Sequence, residues 1–559
     1  MWQCGNVAMC QCADVLKCPH NNIPNTNYQI MRKFVLFVLT AVFGPALFSQ
    51  NVLYQGKVID AVYRTPVAYA AVYIQSTSYG SLCDNVGAFS FTAPDSLQDI
   101  QLVVMRQDFK ISYLPLDTQS QTNLLIALRP DDFEAITLAL LDSLSDKKNN
   151  LVLLLDKAAR FVNNDWIPLG NPEVNKFDFG RIQTFPTYNS VEGVRLRAGI
   201  ASNARLSSHF FLKGYVAYGF KDQQLKYRGE VTYTFDPKAY HEEEFPKNNL
   251  SIIYENDLYS PGEMHLRSPN NLLLITYRRS EHSATYRNFS EINYEREDRN
   301  GFAQTLWIRR SRMTPEGALR FQGQWGGLIF DDHALLTNEV GLQLRYSERE
   351  AYIQQKRKRK SLEMTSPVFF LSHTAGVAEV LGSERRYHRT EISAQKRTLL
   401  GSIGRLDAVG EVMKIWNAVP FPMLVYPNQR YRHHIENNAF FLNRALEFMA
   451  DEQVTLRTTF VGDDLLLAKI PLCNRLQIRE LISLRASFGR LSEKNDPTLS
   501  GNLYNFPATS YKYRSVPYVE GAMGFTNILG LLRVEYVYRF TYRDHPDALL
   551  GGIRVDITL

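Results

Sequence analysis

Two short stretches of the chain have the His-x-x-Glu spacing found in some zinc sites. They contain His433 with Glu436 and His241 with Glu244. A protein zinc site needs three or four protein ligands, and the polar, loop-like surroundings of both stretches offer no convincing third one. We therefore predict no metal site, no cofactor-binding residue and no catalytic residue, and we expect that the protein is not an enzyme.

Cysteines near the N-terminus form a second possible ligand set. Four of the six cysteines, at positions 4, 10, 12 and 18, precede Met31, and His20 follows them. Their spacing lacks the paired Cys-x2-Cys units of a zinc site. Only Cys83 and Cys473 occur later, in different segments, so a disulfide framework is not indicated.

The segment that begins at Met31 has the order of a secretory signal. Arg32 and Lys33 precede an apolar run over residues 34–43, and Pro45 and a short stretch to Gln50 follow. This order predicts a signal peptide over residues 31–49, preceded by a non-native extension over residues 1–30. A membrane-anchored N-terminus is the alternative.

Composition excludes several classes of protein. The apolar run is shorter than the roughly 20 residues of a spanning helix, which excludes a helical membrane protein. The net charge of +6, from 63 Lys and Arg against 57 Asp and Glu among 559 residues, is spread along the chain, so we expect no nucleic-acid partner. Aromatic residues make up 12% of the chain, which favours β-structure.

Residues 50–129 consist of short alternating segments separated by turn residues, which predicts a small β-sandwich. Within them, Asp84, Gly87 and Phe89 have an Asp-x-x-Gly-x-Phe spacing. This hairpin pattern resembles that of the carboxypeptidase regulatory-like domain, a transthyretin-like sandwich. The resemblance implies an accessory domain with no catalytic residues of its own.

Residues 130–179 have a different pattern. Leu140, Leu144, Leu151 and Leu155 belong to apolar series with helical spacing, interrupted by the polar residues 145–150. The pattern predicts a short helical connector. A partner-binding amphipathic helix is the alternative.

Residues 180–559 form a long series of two-faced segments. In residues 533–543, for example, Tyr536 and Tyr538 alternate with Glu535 and Arg539. No helical pattern is long enough to cover the apolar faces, so outer-membrane lipid is the natural partner, and a closed barrel would satisfy the backbone there. At about 9–11 residues a strand plus connections, the segment suits about 14–16 antiparallel strands. The predicted fold class is therefore all-β, with a small N-terminal sandwich, a short helical connector and a C-terminal transmembrane β-barrel; a soluble, β-rich secreted protein is the alternative.

Several blocks of sequence resemble an uncharacterised bacterial outer-membrane family that joins a carboxypeptidase regulatory-like domain to a β-barrel. They are residues 188–196 (YNSVEGVRL), 214–222 (GYVAYGFKD), 446–451 (LEFMAD), 468–480 and 517–521 (PYVEG). The resemblance implies a bacterial outer-membrane location, with the sandwich in the periplasm. It implies no particular activity.

We expect the barrel to move or assemble envelope material. A structural or adhesive surface protein anchored by its barrel is the main alternative. A TonB-dependent-receptor-like transporter is a weaker one, because its 22 strands and plug domain need a longer chain. The expected partners are outer-membrane lipid and lipopolysaccharide, the barrel assembly machinery and a possible periplasmic partner of the sandwich.

Charged residues in the family-like blocks are the candidate site. They are Glu192, Arg195, Asp222, Glu447, Asp451, Lys469, Arg479 and Glu480. Charges that face lipid are costly, so these residues should face the lumen or an end of the barrel. They form either a structural salt-bridge lattice or, as the sharper hypothesis, a substrate path.

Two further expectations concern position. The basic run at residues 356–360 (KRKRK) is too charged for hydrocarbon and must lie in a loop, which on the outer side could hold lipopolysaccharide phosphates. The period of two predicts lipid-facing positions 536, 538 and 540 and lumen-facing positions 535, 537 and 539. We expect water-soluble reagents to reach the lumen-facing set, and Tyr538 to lie near the middle of its strand.

Overall fold

The computed structural model describes residues 51–129 and 166–557. Within these ranges, residues 95–100, 116–120, 263–282 and 429–438, and several stretches of four residues or fewer, are not described. The predicted signal peptide, the extension before it and both apolar series of the predicted helical connector therefore lie outside the described residues.

The N-terminal part of the described chain is a β-sandwich of seven strands. They are β1 (Asn51–Asp60), β2 (Ala71–Ile74), β3 (Gly80–Leu82), β4 (Ala88–Pro94), β5 (Gln101–Met105), β6 (Ser112–Pro115) and β7 (Gln121–Leu128). One sheet has the order β4-β1-β7 and the other β3-β2-β5-β6. Their facing side chains form one hydrophobic core that includes Tyr54, Val72, Phe89 and Leu102. The predicted sandwich is confirmed.

The Asp-x-x-Gly-x-Phe residues shape the turn that leads into β4. Asp84 Oδ1 accepts hydrogen bonds from the backbone N–H groups of Val86 (2.9 Å) and Ala88 (2.8 Å). Gly87 has a φ of +74°, and a Cβ there would lie 2.5 Å from the Val58 carbonyl oxygen. The position therefore requires glycine, and the turn directs Phe89 into the core.

The C-terminal part is built around one large sheet of 18 strands. Its strands are β8 (Trp166–Pro168), β9 (Phe177–Gly180), β10 (Thr187–Asn189), β11 (Gly193–Ser202), β12 (Phe210–Gly219), β13 (Leu225–Thr234), β14 (Asn248–Tyr259), β15 (Thr285–Glu297), β16 (Phe302–Pro315), β19 (Leu335–Ser347), β22 (Val368–Gly376), β23 (Tyr387–Leu399), β24 (Gly404–Ile415), β26 (Glu452–Gly462), β27 (Arg479–Arg490), β29 (Tyr518–Ile528), β30 (Leu532–Arg539) and β31 (Gly551–Ile557).

Short elements lie in the connections between these strands. They are the strands β17 (Gln322–Trp325), β18 (Leu328–Asp331), β20 (Tyr352–Gln354), β21 (Arg359–Ser361), β25 (Phe448–Met449) and β28 (Tyr511–Lys512), the helix α1 (Pro471–Arg475), and 3-10 turns at Gly401–Ile403, Phe421–Met423, Leu467–Lys469 and Glu493–Asn495. Among the described residues, no helix combines the length and apolar character that a membrane span requires.

The fifteen long strands from β11 to β31 pair in chain order, each antiparallel to the next. β31 is followed in the strand order by β8 and β9, and β9 also pairs with β11. Short strands thus bridge β31 and β11, and no full-length pair joins those two within the described chain. Pro168 and Pro186 lack a backbone N–H donor, and proline disfavours the continuation of a strand at these positions.

The all-β class and the number of long strands agree with the prediction of about 14–16. The sheet differs from the predicted closed barrel in its short bridging strands. The sheet also includes β8 and β9, which lie almost entirely within residues 130–179, the range predicted for the helical connector.

The two ends of the sheet differ in their connections. We call the end with the β23–β24 turn, residues 400–403, the proximal end, and the other the distal end. At the distal end the connections include residues 316–334, 416–451 and 491–517, whereas proximal connections include residues 298–301 and 529–531. The distal connections are mostly the longer ones.

The sandwich contacts the proximal end of the sheet. Leu399, at the end of β23, packs against the sandwich core. Burial, and secondly the negative charge of Asp463 in the β26–β27 connection, raise the pKa of the sandwich residue Tyr79 to about 12. Two proximal connections therefore lie beside the sandwich.

Candidate functional site on the inner face of the sheet

Most of the long strands have one face that is largely exposed and apolar and one face that is largely buried and polar. On β30, Tyr536 is 54% exposed, whereas Glu535 and Arg539 are at most 1% exposed. On β31, Ile553 is 69% exposed and Arg554 only 2%. We call these the outer and the inner face. A soluble protein would show the reverse distribution, because apolar side chains are normally the buried ones.

Three of the predicted site residues meet on the inner face at the distal end. Arg195 makes two hydrogen bonds of 2.7 Å to the carboxylate of Asp257 and a third of 3.1 Å to Glu192. Lys226 lies 3.0 Å from Glu192 and 2.5 Å from Asp222. We call these five residues the distal charge cluster.

A turn between β10 and β11 positions the first of these carboxylates. Asn189 Oδ1 accepts hydrogen bonds from the backbone N–H groups of Val191 (3.1 Å) and Glu192 (2.9 Å), and Asn189 Nδ2 donates to Glu192 Oε2 (2.6 Å). Gly193, with a φ of +66°, completes the turn. The cluster has three carboxylates and two cations, and each of the five lies within ion-pairing distance of at least one other.

Similar pairs join neighbouring strands along the inner face. They are Arg228 with Glu255, Arg309 with Glu291, Arg457 with Glu411 and Arg554 with Glu535. Of these residues only Glu535 was predicted to face inward, and Lys226 and Asp257 were not predicted as site residues either. A sequence signal was present for Glu535 and Arg554, because they alternate along β30 and β31 with exposed apolar or aromatic residues such as Tyr536 and Ile553.

Glu447 and Asp451 lie in the long β24–β26 connection, part of which packs against the inner face. Residues 439–450, here called the inner segment, are almost entirely buried. Phe441 and Leu442 form a cluster with Ala522 of β29 and Val537 of β30, both at inner positions. The inner segment thus fills the interior beside these strands.

Charged side chains hold this connection in place. Glu447 accepts a hydrogen bond of 2.6 Å from Arg539 and lies 3.0 Å from His545 Nδ1. Asp451 accepts hydrogen bonds from Ser492 N (3.0 Å) and Asn495 Nδ2 (2.8 Å). The two carboxylates therefore anchor the distal connections to each other and to β30.

Glu520 of β29 binds the inner segment through its backbone. It accepts hydrogen bonds from the N–H groups of Phe441 (2.6 Å) and Leu442 (2.9 Å) and from the Tyr518 hydroxyl (3.1 Å). Arg485 lies directly opposite on β27, with Nη1 3.6 Å from Glu520 Oε1. Neither residue was among the predicted site residues.

The remaining predicted residues lie at the proximal end, away from the distal charge cluster. Glu480 accepts hydrogen bonds from Leu466 N (2.8 Å) and Leu467 N (3.4 Å). Arg479 donates to the Ile478 carbonyl oxygen (3.2 Å), and Lys469 is exposed. The eight predicted charges therefore belong to three separate places in the fold.

Two corrections follow for β30. Positions 535, 537 and 539 do face inward, but Val537 is fully buried beneath the inner segment, so a water-soluble reagent would not reach them. The strand ends at Arg539, so Tyr536 rather than Tyr538 lies near its middle.

Glu244, from one of the two His-x-x-Glu stretches, shapes the β13–β14 connection. It accepts hydrogen bonds from the backbone N–H groups of Ala239, Tyr240 and His241. Among the described residues, no cluster of three potential metal ligands is present. His433 and Glu436, from the second stretch, lie outside the described residues.

Comparison with known proteins gives a family match for part of the chain. Residues 170–412 match the C-terminal domain of a family of unknown function, DUF5686. No curated protein sequence matches the chain significantly.

Two solved structures are similar to the chain at low sequence identity. BamA from Haemophilus ducreyi lacking POTRA domains 1–3 is 12% identical over 68% of this chain and 70% of that chain, with a TM-score of 0.41. CdiB from Acinetobacter baumannii is 10% identical over 66% of this chain and 58% of that chain, with a TM-score of 0.34. This chain thus spans less than two thirds of the CdiB chain.

Proposed function

We propose that the protein is an outer-membrane β-barrel whose large sheet spans the bilayer. The observation that carries this proposal is the pair of faces on the long strands, apolar where exposed and charged where buried. A charge that faces hydrocarbon is costly, and unpaired strand edges in lipid are costlier still. The sheet limits lipid-facing charge because charged side chains are paired on its inner face. It leaves few unpaired strand edges because the short strands β8 and β9 bridge β31 and β11.

In the proposed orientation the proximal end and the sandwich lie in the periplasm. Barrels of this class have short periplasmic turns and longer extracellular loops, and the longer connections here are mostly distal. The hairpin β20–β21, which includes Arg359 and Lys360 of the basic run, lies in a proximal connection. It would therefore face periplasmic phosphates, and not the lipopolysaccharide considered in the sequence analysis.

We infer that the sandwich is a carboxypeptidase regulatory-like domain. The support is the Asp84, Gly87 and Phe89 turn, in which each residue of the pattern has a distinct physical role. Such a domain is an accessory module, and at the proximal end it would be free to meet a periplasmic partner.

The role that we propose for the barrel is to move or assemble envelope material. The inner segment fills part of the interior, so passage would require this segment to move. The described chain has fifteen long strands, fewer than the 22 of such a receptor, which argues against the TonB-dependent alternative.

A second role, a barrel that serves only as an anchor, is favoured by the same packing. In an anchor the interior would stay filled at all times. Conductance across a planar bilayer separates the two roles. A transporting barrel should show openings that become more frequent when residues 439–450 are replaced by a Gly-Ser linker, whereas an anchor should stay closed in the native form under all conditions.

Membrane residence itself is tested by fractionation together with a heat-modifiability gel. We expect the protein in the carbonate-insoluble outer-membrane fraction, with a band that shifts on heating. A carbonate-soluble protein with no shift would contradict the proposal.

A further inference from the structure

Arg485 and Glu520 are opposite charges at directly paired positions of β27 and β29. Their side chains are 2% and 1% exposed. Opposite charges at such positions ordinarily form a hydrogen-bonded pair. Here the nearest nitrogen and oxygen atoms are 3.6 Å apart, beyond hydrogen-bonding distance.

The inner segment occupies the carboxylate instead. Both oxygens of Glu520 accept backbone N–H groups, from Phe441 and from Leu442. Within the described part of the chain, none of the three Arg485 guanidinium nitrogens makes a hydrogen bond. A buried cation without hydrogen bonds is costly. When the inner segment is bound to Glu520, which we call the seated state, Arg485 therefore lacks the hydrogen bonds that this carboxylate could accept.

The neighbouring carboxylates are engaged elsewhere. On the neighbouring strand β26, Arg457 lies opposite Arg485 and donates a hydrogen bond to Glu411 of β24. Glu535 accepts hydrogen bonds from Arg554. Among these neighbours Glu520 is therefore the carboxylate best placed to serve Arg485, and it becomes available when the Phe441 and Leu442 amides leave.

We propose that Glu520 exchanges partners, binding the amides of the inner segment in the seated state and the guanidinium of Arg485 when the segment withdraws. This exchange rests on the proposed function, since it regulates how the barrel interior opens. Each state satisfies the carboxylate, but only the withdrawn state satisfies Arg485. The pair would thus lower the free-energy difference between the two states.

The proposal predicts opposite effects for the two halves of one ion pair. Arg485→Met removes a group that is satisfied only after withdrawal, so the segment should remain seated longer. Glu520→Gln weakens the acceptor of the two amides, so the segment should withdraw more often. If the pair only stabilised the sheet, both substitutions would loosen the structure.

The test measures withdrawal as thiol labelling in the full chain in lipid vesicles. The reporter is Leu442→Cys, in a background in which all six native cysteines are replaced, including Cys83→Ala and Cys473→Ser, and the probe is a charged, water-soluble maleimide. Arg444→Cys, at an exposed position of the same segment, is the matched control whose labelling should not change.

We expect Arg485→Met to slow labelling of the reporter about tenfold, the order expected for one unsatisfied charged hydrogen-bonding group. Glu520→Gln should accelerate labelling, and in the Glu520→Gln background the effect of Arg485→Met should shrink. Faster or unchanged labelling in Arg485→Met, or an equal effect in both backgrounds, would overturn the exchange.

Folding and membrane residence are checked on the same samples. If Arg485→Met does not fold, Arg485→Gln, which also removes the charge, takes its place with the same expectation. A normal heat shift and membrane fraction with the wrong labelling pattern would reject the exchange alone. Loss of membrane residence in the unsubstituted protein would instead reject the proposed function.

Discussion

Charged residues on the inner face form buried ion pairs, and we expect the loss of either partner to destabilise the fold. Arg195 is the clearest case, because it contacts both Glu192 and Asp257 while almost fully buried. Removing one partner of a buried ion pair leaves an uncompensated charge. The distal charge cluster should therefore be sensitive to any substitution that removes a charge.

We predict that Arg195→Gln destabilises the folded barrel by about 3–5 kcal/mol. The control is Arg296→Gln, whose side chain is 54% exposed and pairs with Asp298, and which should cost less than about 1 kcal/mol. Denaturant titration of the heat-modifiable band measures both. Equal midpoints for the two variants would show that the cluster does not stabilise the fold.

The two cysteines of the described chain should differ in reactivity. Burial, and secondly the charge of Asp84, raise the pKa of the Cys83 thiol to about 12, whereas Cys473 is partly exposed. Since the thiolate is the reacting form, maleimide at about pH 7.5 should modify Cys473 in the native protein and Cys83 only after denaturation. Mass spectrometry of the labelled peptides measures this, and rapid native labelling of Cys83 would contradict its burial.

The same pKa shift has a consequence for stability. The folded-state pKa of Cys83 lies above the unfolded value of about 8.5. Its contribution to stability is therefore complete below about pH 8.5 and declines as the pH rises from there towards about 12. The Cys83→Ala variant should lack this decline in the sandwich.

At the scale of the strand, period-two alternation made the faces predictable. Tyr536 and Glu535 lie on the predicted faces because side chains alternate across a strand. The inner segment could not be predicted in this way, since its contacts with Ala522 and Val537 depend on how the long β24–β26 connection folds back, which alternation does not encode. For the same reason the partition of the eight candidate charges among three places was not predictable from their spacing.

Depth in the bilayer should determine the cost of a charge on β30. Tyr536 lies near the middle of the strand, whereas Phe540 lies just beyond its distal end. We predict that Tyr536→Arg costs about 2–4 kcal/mol and Phe540→Arg about 0–1 kcal/mol, since the penalty falls towards the interface. Refolding titrations into lipid vesicles measure both. A larger cost at position 540 than at position 536 would contradict the placement of this strand.

At the scale of the whole molecule, the two ends should face different compartments. A peptide epitope inserted in the distal connection at residues 491–517 should bind antibody on intact cells. The same epitope in the proximal turn at residues 400–403 should bind antibody only after the outer membrane is permeabilised. The opposite pattern would reverse the proposed orientation and place the sandwich outside the cell.

Contact between the outer face of the sheet and lipid can be measured by fluorescence quenching along β30. A fluorophore is attached to Tyr536→Cys, Tyr538→Cys or Phe540→Cys, with Val537→Cys, labelled after unfolding and then refolded, as the inward-facing control. In vesicles that contain brominated lipid, the three outer positions should be strongly quenched and position 537 should be quenched little. Equal quenching at all four positions, or none at the outer three, would show that the outer face does not contact lipid.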